Sequence, residues 1–153
     1  MSQHTARIDW QRTGDDFSLK GYARDHTWTF NGGMSVAASA APDYLGSPER
    51  VDPEQALVAA LSSCHMLTFL AIASKRGLVV DRYTDDAVGT LEKNADGKLA
   101  ITRVELRPAI AFAGEAPDDA TLGEMHHEAH ERCFIASSVK TEVEVAGSVT
   151  RTG

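Results

Sequence analysis

The chain has 153 residues, of which 42% are hydrophobic and 24% charged, values typical of a soluble globular protein with one domain, here residues 1–153. Its formal net charge of −7 argues against a nucleic-acid or anionic-membrane partner, because both require a basic face. The first residues lack a basic start followed by an apolar run, so no signal peptide is predicted. Two cysteines in such a chain indicate the cytoplasm, where thiols are normally reduced.

The first third of the chain is predicted to be β structure that leads into a loop. Alternating residues, aromatic side chains and glycine-containing turns predict three strands, over residues 5–12, 17–30 and 34–38. Residues 40–50 contain Pro42, Gly46 and Pro48, so this segment is predicted to form the loop before the first helix.

Residues 51–77 carry the strongest helix signal. Asp52 suits the N-cap, Pro53 suits the first helical position, and Gln55 stands three residues after the cap, as in a capping box. Gly77 follows a basic last turn, as at a helix C-terminus. Because the segment is apolar on nearly every side, it is predicted to be a buried central helix about 35 Å long. Its polar residues interrupt the apolar runs too often for a membrane span.

The second half is predicted to form a hairpin, a helix and a last strand. The predicted elements are a strand over 79–93, a strand over 98–112, a helix that follows a linker over 114–119, and an alternating strand over 139–150. The apolar pattern predicts a bulge near Thr102, and Thr121 and Glu124 are spaced as a capping pair for the helix. This order predicts an α+β fold with mostly antiparallel sheets around the central helix.

The two cysteines are the main candidates for chemistry. Cys64 lies in the middle of the first helix, ten positions after Glu54, and Cys133 lies near the end of the second. A free cysteine in an apolar helix is most often a small buried hydrophobic residue. A second cysteine, a carboxylate in the first turn and the polar neighbours Ser63 and His65 instead favour a reactive thiol.

The second helix has two interpretations. His126, His130 and Cys133 share one helix face at a spacing that suits zinc, although they do not form an HExxH motif. A solvated face rich in histidine and glutamate explains the same residues without a metal. An apolar stripe at spacings of three and four comprises Leu122, Met125, Ala129 and Cys133. This stripe predicts that the helix packs on the core with its cysteine facing inwards.

The segment DPEQALVAALSSCHM, residues 52–66, resembles the helix of the OsmC/Ohr family of cysteine-based peroxidases. The family pattern is an N/D-P-E start, an apolar run and a reactive cysteine ten residues after the glutamate, which matches Glu54 and Cys64. The second family cysteine corresponds in place to Cys133. The family's arginine, from the N-terminal strands, corresponds to Arg24. The resemblance extends over most of the chain.

The resemblance implies a thiol-dependent peroxidase that reduces organic hydroperoxides in oxidative stress defence, without a cofactor or metal. Cys64 would attack the O–O bond as a thiolate and become a sulfenic acid, and Cys133 would condense with it to a disulfide. Arg24 would stabilise the thiolate while Glu54 orients its guanidinium, with Arg50 as the alternative arginine. A dithiol reductant, of lipoyl type or a small thiol, would restore both cysteines.

The resemblance also implies an OsmC-like intertwined homodimer with active sites at the subunit interface. The central helix agrees with this expectation, because it is too apolar to be covered by one small sheet and one polar helix. One departure from the family is that Phe134, not proline, follows Cys133. Two other functions are open: an OsmC-like stress or small-ligand-binding protein with weak or no peroxidase turnover, and a zinc-binding protein.

Overall fold

The computed structural model describes residues 1–146 and 150–152 of the chain. Within them lie the strands β1 (Arg7–Asp9), β2 (His26–Thr29), β3 (Ser35–Ala38), β4 (Val79–Asp85), β5 (Val88–Lys93), β6 (Leu99–Leu106), β7 (Pro108–Ala113), β8 (Glu142–Val145) and β9 (Thr150–Thr152), and the helices α1 (Pro53–Lys75) and α2 (Asp119–Arg132). The chain divides into two compact units, Met1–Ala56 and Leu57–Gly153, and the division falls in the first turn of α1.

The first unit contains an antiparallel sheet in the order β1-β2-β3. Trp28 of the central strand lies opposite Ile8 on one side and Val36 on the other. The predicted strand over 17–30 is wrong in its first part, where Asp16 accepts a hydrogen bond from the Ser18 N–H at 2.8 Å and the chain turns. An aspartate that bonds the backbone two residues later favours a turn over a strand.

The predicted start and end of α1 are confirmed. Asp52 Oδ1 accepts the Gln55 N–H at 2.7 Å and Gln55 Oε1 accepts the Asp52 N–H at 3.2 Å, which is a capping box. At the other end Gly77 has φ of +72°, and the Leu78 N–H bonds the Ala73 carbonyl at 3.0 Å, which closes the helix as in a Schellman motif.

Burial of α1 is confined to one face, although the sequence predicted a helix buried on every side. The buried residues are Leu61, His65, Phe69, Ile72 and Ala73. Leu67, on another face, is 61% exposed. By length and composition α1 would also pass as a membrane span, a criterion that the core helices of soluble proteins meet as well.

The second unit contains two three-stranded sheets, in the orders β4-β7-β9 and β5-β6-β8. The pairs β4/β7 and β5/β6 are antiparallel, as predicted, while β9 and β8 join β7 and β6 in parallel. Two apolar clusters form its core. One joins α1 and α2 to β7 around Phe69 and Met125, and the other joins α1 to β6 around Leu61 and Val104.

The two predicted hairpin strands are each divided in the structure, into β4 and β5 and into β6 and β7. Asp85 is at the break, where its carboxylate accepts the Ser62 hydroxyl at 2.5 Å and the Arg107 N–H at 2.6 Å. Because these bonds direct the Arg107 N–H to a side chain, and because Pro108 has no N–H, the ladder ends and a second sheet begins. The predicted bulge is confirmed, since Thr102 has no partner between the paired residues on either side.

The predicted capping pair of α2 is wrong, since the N-cap is Asp118. Its Oδ1 accepts the Thr121 N–H at 2.8 Å, so Thr121 lies inside the first turn. The predicted stripe of α2 is confirmed, because all four of its residues are buried: Leu122, Met125, Ala129 and Cys133. The alternation predicted for the last strand is confirmed over β8, and residues 147–149 of that prediction lie outside the described residues.

Candidate active site

The two cysteines meet in the second unit. Cys64 is half-buried in α1, Cys133 follows the last residue of α2 and is 1% exposed, and neither forms a disulfide. Cys64 is near enough to Cys133 to raise the pKa of its thiol. The structure therefore brings two cysteines from separate helices into one neighbourhood.

A tight turn after α2 holds Cys133 in place. The Ser137 N–H and hydroxyl both donate to the Cys133 carbonyl, at 3.0 and 3.1 Å, and the Ala136 N–H donates to its Sγ at 3.4 Å. Ile135 packs against the core cluster around Leu61, whereas Phe134 is 82% exposed. These bonds order the turn that begins at Cys133.

The environment distinguishes the two thiols. Burial raises the pKa of the Cys133 thiol, the neighbouring Cys64 raises it further, and the Ala136 N–H opposes both. Cys133 therefore remains protonated and suits the role of donor in the thiol pair. Cys64, the less buried of the two, is the member that an incoming molecule can reach.

An open groove of about 590 Å³ reaches Cys64. Its apolar lining comes from α1 and from the turn after α2, and comprises Leu67, Ala71, Ile72 and Phe134. Lys75 and Arg132 lie along the same groove. A groove with this lining can accept a molecule with an apolar body next to the sulfur of Cys64.

Arg24 lies in the first unit, and its guanidinium is bound within its own loop. It donates to the carbonyls of Tyr22, at 2.5 Å, and of Leu19, and it lies 3.9 Å from the centre of the Tyr22 ring. Glu54 is half-buried and forms no hydrogen bond or ion pair with any residue that the structure describes. The predicted pairing of Arg24 with Glu54 is thus not formed here.

The alternative arginine, Arg50, forms an ion pair with Asp25 at 3.1 Å. The Ser47 hydroxyl also donates to Asp25 at 2.6 Å, and this bond, with a smaller effect from Arg50, lowers the pKa of the Asp25 carboxyl. Both candidate arginines therefore have partners in the first unit.

A pair of buried histidines was not predicted from the sequence. His65 Nε2 lies 3.0 Å from His126 Nδ1, and the residues are 1% and 5% exposed. The sequence signal for His65 was its position, as a polar residue, beside Cys64 in the apolar helix. The signal for His126 was its position next to Met125 of the apolar stripe. Among the described residues no group of three His, Cys, Asp or Glu side chains has the geometry to hold a metal ion, and the predicted zinc ligand His126 faces His65 instead.

Comparisons with known proteins identify the family of the chain. A family model described as OsmC-like protein matches residues 46–147, more than half of the chain. The structure is similar to that of an OsmC-like protein of unknown function from Vibrio cholerae, at 50% identity over 95% of this chain and 99% of that chain, with a TM-score of 0.90. No curated protein matches the chain.

More distant solved structures share the fold. An OsmC-like protein from Mycoplasma pneumoniae has 15% identity over 99% of both chains and a TM-score of 0.74. An organic hydroperoxide resistance protein from Elizabethkingia anophelis has 16% identity over 99% of this chain and 98% of that chain, with a TM-score of 0.68. The family model and the relative at 50% identity together show that this chain belongs to the OsmC-like protein family.

Proposed function

We propose that this protein is a cysteine-based, thiol-dependent peroxidase that reduces organic hydroperoxides in oxidative stress defence. The observation that carries the proposal is the proximity of two free cysteines, Cys64 beside an open groove and Cys133 buried next to it. Membership of the OsmC-like family, and a fold shared with proteins named for organic hydroperoxide resistance, support it.

The proposed cycle has three steps. The Cys64 thiolate attacks a peroxide oxygen, the O–O bond breaks, and the departing alkoxide takes up a proton to become an alcohol while Cys64 becomes a sulfenic acid. The Cys133 thiol then condenses with the sulfenic acid, which forms a disulfide and releases water. An external dithiol, of lipoyl type or a small thiol, reduces the disulfide by two exchange reactions and is itself oxidised to a disulfide.

Arg24 is the proposed cation for the Cys64 thiolate, with Glu54 as the carboxylate that orients it. A guanidinium suits this role because its fork can bond a carboxylate on one edge and sulfur or peroxide oxygen on the other. In this proposal Arg24 exchanges its bonds to the carbonyls of Leu19 and Tyr22 for Glu54 when the site is assembled. Arg50 is the alternative.

The groove at Cys64 supports an organic substrate. Leu67, Ala71 and Phe134 offer an apolar surface beside the sulfur, which suits a hydroperoxide with an organic tail better than hydrogen peroxide alone. The proposed chemistry uses protein side chains, substrate and dithiol, and requires no cofactor.

A homodimer and a cytoplasmic location complete the proposal. Leu67 of α1 is 61% exposed, and Phe134 of the turn after α2 is 82% exposed. Exposed apolar side chains of this kind form a surface that a second subunit can cover. In this proposal the chain acts as one OsmC-like domain over residues 1–153, and a dimer supplies two sites at its interface.

One observation favours a second function, that of an OsmC-like stress or small-ligand-binding protein with weak or no turnover. Arg24 is held by backbone carbonyls and by Tyr22, and Glu54 lacks an arginine partner within the described residues. If these contacts persist in the assembled protein, Arg24 does not support the Cys64 thiolate and the proposed cation is missing.

A coupled assay separates the two functions. Purified protein is given cumene hydroperoxide with dihydrolipoamide as reductant, beside Cys64→Ser and Cys133→Ser variants. The peroxidase predicts turnover that Cys64→Ser abolishes, and Cys133→Ser reduces. Wild-type turnover no greater than that of Cys64→Ser would reject the peroxidase and favour the binding protein.

A further inference from the structure

The buried pair of His65 and His126 joins the two long helices of the second unit beside the cysteines. The rings lie almost parallel, with 7° between their planes and 5.3 Å between their centres, and Phe69 stacks on His126 at 4.6 Å. The hydrogen bond between them, at 3.0 Å, is fully buried. It therefore fixes one point of α2 against α1 in both distance and ring orientation.

The spacing of these residues relates the pair to the thiols. His65 is the neighbour of Cys64 in α1, whereas His126 precedes Cys133 by seven residues, which is two helical turns on the same face of α2. Neighbouring residues of α1 are thus matched with residues of the α2 segment that are about 10 Å apart along the helix axis. The histidine pair thus contacts the middle of α2, and Cys133 follows the last residue of that helix.

This geometry makes the distance between the two cysteines sensitive to the histidine pair. A rotation of α2 by about 20° around His126 would move Cys133, about 10 Å away, by roughly 3.5 Å. A disulfide requires its two Cα atoms to lie within about 7 Å, and a shift of that size is about half of this limit.

The chemistry of the pair argues against simple packing. A neutral imidazole has one donor and one acceptor nitrogen, so the bond between His65 and His126 uses one nitrogen of each. The outer nitrogens, His65 Nδ1 and His126 Nε2, are buried and have no hydrogen-bond partner among the described residues. Two unsatisfied buried nitrogens lower the stability of the fold, whereas apolar side chains of similar size would not. We therefore assign the pair a role in placing the two helices.

We propose that His65 and His126 are positioning residues for the two-cysteine reaction, because their hydrogen bond sets the angle of α2 that keeps Cys133 against Cys64. The inference rests on the proposed function, in which the Cys64–Cys133 disulfide is a step of the cycle. Formation of that disulfide can itself be measured without peroxide. The residues act through the helices and touch neither substrate nor sulfur in the proposed cycle.

The test uses diamide as oxidant. The Cys64 thiolate adds to its N=N bond, and Cys133 then displaces the nitrogen to form the disulfide, so that two thiols lose two electrons and two protons and diamide becomes the hydrazine. The rate of disulfide formation, read by non-reducing peptide mass spectrometry, is divided by the rate at which N-ethylmaleimide alkylates Cys64. This ratio corrects for any change in the reactivity of Cys64 alone.

Three variants of His126 distinguish positioning from packing. Asn places an amide atom near the position of Nδ1, Gln displaces it by one methylene group, and Leu removes it. We expect His126→Asn to keep the wild-type ratio within about twofold, and His126→Gln and His126→Leu to lower it about tenfold, the effect of one misplaced buried hydrogen bond. His127→Leu, an exposed neighbour in α2, is the matched control and should leave the ratio unchanged.

Circular dichroism of each variant shows whether it folds. A folded His126→Leu variant with the wild-type ratio would overturn the inference. Equal ratios in His126→Asn and His126→Gln would also overturn it, and these two variants can be compared even if His126→Leu does not fold. If the wild-type protein has no peroxide turnover but the variants give the expected diamide ratios, the proposed function is rejected and the positioning role stands.

Discussion

Cys133, which follows the last residue of α2, lies near enough to Cys64 in the middle of α1 for Cys64 to raise the pKa of its thiol. Burial raises the pKa of Cys133, so the pair combines a protonated, enclosed thiol with a more accessible one. This arrangement suits a reaction in which Cys64 meets the substrate and Cys133 resolves the product.

Peroxide should join the two cysteines in an intrachain disulfide. After one equivalent of cumene hydroperoxide, non-reducing mass spectrometry should find linked peptides that contain Cys64 and Cys133, because the two cysteines are neighbours in the folded chain. In the Cys133→Ser variant Cys64 should stop at sulfenic acid, detectable with dimedone. Overoxidised Cys64 beside a free Cys133 in the wild-type protein would contradict the two-cysteine cycle.

The two thiols should also differ in their reaction with a small alkylating reagent. At neutral pH iodoacetamide should modify Cys64 before Cys133, because Cys133 is 1% exposed and its raised pKa keeps it protonated. Peptide mass spectrometry over a time course measures the order. Modification of Cys133 first would show that the turn after α2 opens in solution.

The choice between the two candidate arginines can be tested by paired substitutions. Arg24→Lys keeps a positive charge but removes the planar fork, so peroxide turnover should fall by one to two orders of magnitude while the fold survives. Arg50→Lys is the matched control and should retain most activity, since Lys can still pair with Asp25. The reverse result would assign the role to Arg50.

The buried histidines predict that stability depends on pH. Burial lowers the pKa of both His65 and His126 from 6.5 to about 4, with a further contribution to His65 from His130 and to His126 from His65. Between pH 6.5 and 4 the unfolded chain therefore binds protons that the folded chain does not. The free energy of unfolding should fall as the pH decreases through this range, by up to about 1.4 kcal/mol per histidine and pH unit.

Urea unfolding at several pH values measures this dependence. The slope between pH 6.5 and 4 should be smaller in His126→Asn, which removes one of the two buried imidazoles. His127→Asn should keep the wild-type slope, because His127 is exposed. Equal slopes in the wild type and His126→Asn would show that His126 is protonated in the folded chain.

The capping box of α1 should contribute measurably to stability. Asp52→Ala removes the acceptor of the Gln55 N–H and should cost about 1 kcal/mol, because one backbone donor at the helix start loses its partner. Thermal unfolding would measure this loss, with the exposed Glu49→Ala as control. An unchanged melting temperature in Asp52→Ala would show that water replaces the cap at no cost.

Prediction from the sequence succeeded where the signal is local. The bounds of α1 follow from Asp52, Pro53 and Gly77, whose effects extend over one helical turn, and the bulge at Thr102 follows from a shift in the apolar alternation. The inward direction of Cys133 follows from the stripe of α2. Local rules failed at the start of α2, where Asp118 competes for the cap and takes it.

Prediction failed where distant residues decide. Asp85 ends a strand only because Ser62 and Arg107, remote in sequence, both donate to it. The parallel addition of β8 and β9 depends on which sheet edges the hairpins leave open, and no pattern within those short strands encodes it. The pair of His65 and His126 likewise exists only where α1 and α2 cross.

The sequence by itself determined the α+β class, the central helix and the two cysteines, because periodicity, capping and motif spacing are properties of neighbouring residues. Only the tertiary structure decided that Cys64 and Cys133 are neighbours, that one face of α1 stays exposed, and that Arg24 is bound to its own loop. Those outcomes depend on how helices cross and which groups compete for the same partner. They are set by packing and desolvation over the whole unit, and no segment of the chain carries them alone.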